Sequence, residues 1–146
     1  MCQVSPPPPP GNIVALMEPL EETIRQVRTD HPGRPVVVVG LSLGVKVAIA
    51  ATARIPVDIL VCIGLHIQGK SSLLEAGVSP RDLVALRIPT LFAVGQRSRA
   101  CPVSLMEEVR HKMLAKNKLV CFTRGHPTKH IPVPHQPLSH FYWLSL

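Results

Sequence analysis

The residues with the clearest chemical promise are Gly40-Leu41-Ser42-Leu43-Gly44, a G-x-S-x-G. In this pattern a serine sits on a sharp strand-to-helix turn. The glycines let neighbouring backbone pack closely, and the hydroxyl stands exposed at the carboxyl end of a sheet. The N–H of the next residue, Leu43, is the candidate oxyanion donor. Such a serine is a candidate nucleophile for acyl transfer. It needs a base, and the base needs an acid to orient it. The chain order of this arrangement is serine, then acid, then histidine. The acid is expected just after the strand Leu91-Phe92-Ala93-Val94-Gly95. There the sequence reads Gln96-Arg97-Ser98-Arg99, so two arginines stand at the acid position and no carboxylate is present. The histidine is expected after Val120-Cys121-Phe122-Thr123, and His126 stands there. Ser42 and His126 are therefore the catalytic candidates of an incomplete triad. Without the acid the imidazole tautomer is not fixed, a loss of up to ~10⁴ in rate. Asp82 and Glu107 are other carboxylates of the chain, and nothing in the sequence singles out either.

Other chemistries fail on the residues. Gly40 to Gly44 is not G-x-G-x-x-G, and no G-x-x-x-x-G-K-[ST] occurs, so no nucleotide cofactor is expected. His126, His130, His135 and His140 stand at spacings of 4, 5 and 5 with prolines between them, and no C-x-x-C is present. That argues against a zinc site, so neither metal nor cofactor is expected. Cys2, Cys62, Cys101 and Cys121 are far apart and read as reduced thiols of an intracellular protein.

The elements that must position Ser42 follow from periodicity. Pro35 to Gly40, with four successive valines, reads as a buried strand, and residues 43–53 as an Ala-rich helix. Strands are expected at 57–63, 90–95 and 118–123. Leu16, Leu20, Ile24 and Val27 place one apolar face on a helix over 12–30, whose regular part is expected to begin near Glu18, before Pro19. A helix over 102–116 opens with Pro102, carries Glu107 and Glu108 early and Lys112 and Lys116 late. Gly64 to about Asp82 reads as a polar loop. Strands alternating with helices predict an α/β fold with a parallel sheet and right-handed crossovers. Residues 1–11, with Pro6 to Pro10, read as a disordered lead. Residues 12–124 form the domain. Residues 125–146, with four prolines, four histidines and Phe141-Tyr142-Trp143, read as an irregular tail.

Composition agrees with one α/β domain. The chain has 146 residues, 46% of them hydrophobic and only 3% aromatic. That excludes disorder of the whole chain and favours an aliphatic core. The formal net charge is +7, from 16 basic and 9 acidic residues, and no acid follows Glu108. The basic residues are dispersed and few aromatics lie among them to stack bases. This reads as a solvated basic face rather than a nucleic-acid groove. Residues 35–53 are apolar enough to invite a membrane reading, but Lys46 interrupts them and Gly40 and Gly44 cut them into strand-sized and helix-sized pieces. No membrane partner is expected.

The segments DHPGRPVVVVGLSLGVKVAIAATA, VDILVCIGL, IPTLFAVGQRSRACPVSLMEEVRHKM and NKLVCFTRG together resemble a known family. It is the α/β-hydrolase-like region shared by subunit three of the non-specific lethal (NSL) histone acetyltransferase complex and the testis-expressed hydrolase-like proteins. The resemblance spans about residues 25–125. It implies a partial α/β-hydrolase-like parallel sheet, running from the elbow strand to the last strand, with flanking helices. Where the hydrolase-like relatives carry an aspartate this chain has Ser98, and their histidine corresponds approximately to His126. The chromatin subunit usually lacks the elbow serine, which is present here as Ser42. The resemblance implies a non-catalytic scaffold within a nuclear chromatin-modifying complex, with that complex's protein subunits as partners. The alternatives are a serine hydrolase of esterase or peptidase type, in the cytoplasm, or a pseudo-hydrolase that binds a small molecule. A hydrolase of this fold commonly needs 200–250 residues, so the chain is expected to be a fragment or short isoform whose elbow strand has an unpaired edge.

Overall fold

The computed structural model describes residues 13–67 and 77–123. Its elements are α1 (Ile13–Asp30), β1 (Val37–Leu41), α2 (Gly44–Arg54), β2 (Ile59–Ile63), α3 (Pro80–Val84), β3 (Thr90–Gly95), α4 (Val103–Lys112) and β4 (Asn117–Phe122). The strands form one sheet in the order β1-β2-β3-β4, and every neighbouring pair is parallel. The register aligns Val38 with Leu60, and Cys62 with Phe92. The expected α/β class and parallel sheet are thus present.

Each crossover steps in the same direction along the sheet. Right-handed connections of that kind place all the crossover helices on one face. Burial follows this rule. Val38, Gly40, Leu60, Cys62, Thr90, Phe92 and Val94 point to one face, and all are buried. Their neighbours in the chain point to the other face, where no side chain is buried. α2 packs on β1 and β2, α4 on β4, α1 on α2, and α3 on α4. The core therefore lies wholly between the helices and one side of the sheet.

α1 is tied to this layer by apolar and polar contacts. Met17, Leu20 and Ile24 are buried in the core. The buried Glu21 carboxylate lies 3.5 Å from the guanidinium of Arg25 and 3.5 Å from that of Arg54 on α2. Arg28 donates a 2.6 Å hydrogen bond to the carbonyl of Pro56, just before β2.

Several boundaries differ from the sequence reading. The regular part of α1 does not begin near Glu18; it starts at Ile13 and Pro19 lies inside it. Proline removes one intrahelical donor, but the turn before it holds buried Met17 and part-buried Ile13 and Leu16 against the core, which offsets the lost bond. α4 ends at Lys112 rather than 116. Met113 turns extended and buries its side chain, and Asn117 donates to the carbonyls of Arg110 and Ala115, closing the turn into β4. The stretch read as a polar loop ends in α3. Ser79 caps this short helix by accepting from the Asp82 N–H, with Pro80 in the first turn. β2 begins at Ile59, because Asp58 is used to bind the Val36 N–H at 2.7 Å and so fixes the start of β1 against β2. The proline-rich lead 1–11 and the tail 125–146 lie outside the described residues.

Candidate active site

A side chain at Gly40 would place its Cβ 2.7 Å from the Cα of Val45 and 3.0 Å from the carbonyl oxygen of Gly44. α2 thus rests directly on the backbone at the end of β1. A helix this close forces the connecting turn to be abrupt. Ser42 takes up the turn with φ of +51°, the one left-handed non-glycine residue among those described. A serine in this region costs on the order of 1–2 kcal/mol against glycine's freedom. The strain is held in place by hydrogen bonds on both sides. The Ser42 N–H donates to the carbonyl of Ile63 at 2.9 Å, and the Ser42 carbonyl accepts from the Val45 N–H at 3.2 Å.

Ser42 is exposed at the carboxyl end of the sheet, and Leu43 beside it is 59% exposed. Leu43 already has helical φ and ψ as the residue before α2. Its N–H belongs to the first donors of a helix, which have no partner within the helix, and the helix dipole adds positive potential there. A group with developing negative charge above Ser42 would meet that end of α2. Gly64, with φ of +68°, follows β2 and lies against the Ser42 backbone: a Cβ on it would be 3.8 Å from the Ser42 nitrogen.

The loops at this end of the sheet bring other residues to the same edge. After β2 come Gly64, Leu65 and His66; after β3 come Gln96, Arg97, Ser98 and Arg99. His66 is half-buried, and its carbonyl accepts from Val78 N–H at 2.7 Å. The sequence reading passed over it, although a histidine three residues past a strand's carboxyl end was a legible signal. Ser98, at the expected acid position, uses its hydroxyl to accept from the Cys101 N–H at 3.2 Å, and its own N–H binds the Gly95 carbonyl. It is a turn residue that shapes the entry to α4. No carboxylate occurs in these loops among the described residues.

The other carboxylates are engaged elsewhere. Asp58 binds Val36 at the opposite end of β1 and β2. Glu107 lies on α4, 3.0 Å from Arg110 and 3.7 Å from His111. Asp82 lies in the wall of a groove of about 690 Å³ that runs along α2 to the segments entering β2 and β3, and Ser42 is not part of that groove. His126 lies outside the described residues. The structure therefore places Ser42, Leu43 and Gly64 together, with the loop carrying Ser98 at the same end of the sheet two strands away, and no carboxylate stands in these loops among the described residues.

Among the described residues no group of three or more His, Cys, Asp or Glu is placed to hold a metal, and no helix is long and apolar enough to cross a membrane. The buried thiols are poor nucleophiles. Burial pushes Cys62 up to about 12, and burial together with the nearby Cys121 thiol pushes Cys101 to about 11.

No family model matches the chain. Solved structures do match it. A dienelactone hydrolase from Anabaena variabilis is similar at 24% identity, over 77% of this chain and 50% of its own, with a TM-score of 0.57. An alpha-beta serine hydrolase homologue from Coxiella burnetii matches at 16% identity, over 78% and 51%, with a TM-score of 0.59. An esterase from Pyrococcus furiosus matches at 14% identity, over 73% and 51%, with a TM-score of 0.55. The fold is that of an α/β-hydrolase-like sheet with flanking helices, and the chain spans about half the length of these structures.

Proposed function

We propose that this chain is a non-catalytic, α/β-hydrolase-like scaffold component of a nuclear, NSL-type histone acetyltransferase complex. The observation that carries the non-catalytic reading is the acid position. After β3, where a triad would hold its carboxylate, Ser98 is committed to the Cys101 N–H between two arginines. An elbow serine without an oriented base is a weak nucleophile. The chromatin assignment is supported by the four quoted segments of sequence resemblance, and the partners it names are the protein subunits of that complex.

A serine hydrolase is the second reading, and one observation favours it: the left-handed φ of Ser42 is the strained geometry that exposes a nucleophile. The two readings separate on one experiment. The full chain is treated with a fluorophosphonate probe beside its Ser42→Ala variant. The scaffold reading expects faint labelling of both; strong labelling that vanishes in Ser42→Ala sinks it. Pull-down of purified acetyltransferase-complex subunits by the full chain tests the partner assignment, with binding expected to survive Ser42→Ala. Failure of every subunit to bind would remove the chromatin reading and leave the fold.

A further inference from the structure

We draw no further inference here: the strongest candidate, the apolar face of the sheet opposite the helices, where Val39, Val61 and Leu91 stand in register, carries nothing because no described residue shows what covers it.

Discussion

Val38 and Val39 are adjacent, of one type, and on one strand, yet Val38 is buried and Val39 is only partly so. The same holds for Leu60 beside Val61 and for Phe92 beside Leu91. Both faces of the sheet are largely apolar, the covered one carrying Val38, Leu60, Cys62, Phe92 and Val94 and the other Val39, Val61, Ile63, Leu91 and Ala93. What separates them is the connectivity: crossovers that all step the same way put every described helix on one side. Composition made both faces apolar, and topology chose which became the core.

Core substitutions should expose this difference most strongly. Phe92→Ala, at 0% exposure on the helix-covered face, is expected to cost about 4 kcal/mol, from lost transfer energy plus a cavity. Leu91→Ala on the other face should cost about 1 kcal/mol or less, because fewer contacts are lost. Urea denaturation of the two variants measures the contrast. Equal losses would mean that the second face is packed as tightly as the first.

Gly40→Ala probes the covered face by overfilling it. Its Cβ would meet the Val45 Cα at 2.7 Å, a backbone atom that cannot turn aside. A loss of about 2–3 kcal/mol is expected from the same denaturation measurement. A neutral result would show that α2 can slide outward without cost.

Cys62 reports the covered face by pH. Its thiol has an ordinary value of 9.0 and is pushed up to about 12 by burial. The folded chain therefore keeps this proton at pH values where the unfolded chain releases it. The stability linked to Cys62 is fully present below pH 9.0 and is lost as pH rises toward about 12. At pH 10 the loss relative to neutral pH is on the order of 1 kcal/mol. Cys62→Ala should remove that part of the alkaline decline, and an unchanged pH profile in the variant would contradict it.

The smallest effect is expected at the corner where β1 passes into α2. Ser42→Gly relieves the left-handed φ at the cost of a looser unfolded chain, for a net gain of about 0.5–1 kcal/mol. Thermal unfolding reads it. A destabilised Ser42→Gly would mean that the hydroxyl itself, rather than the backbone, holds the turn.

The sequence by itself determined the α/β class, the four strands and the long helices. Apolar runs and period-3.6 patterns are written locally, and each declares its own element. The turn at Ser42 was legible for the same reason, since G-x-S-x-G between a valine run and an apolar helix states its backbone problem in five residues. The missing carboxylate after Gly95 was also plain in the letters. Local pattern could not weigh one element against another. Pro19 stays inside α1 because Ile13, Leu16 and Met17 find a core to pack on, a contact that exists only once α1 and α2 have met. α4 stops at Lys112 because Met113 is drawn into that core and Asn117 must reach its place beside Thr90. The valines of β1 carry no mark that tells the buried from the half-buried. That distinction needs the direction of each crossover, a property of how several segments turn about one another, and so only the tertiary structure decided it.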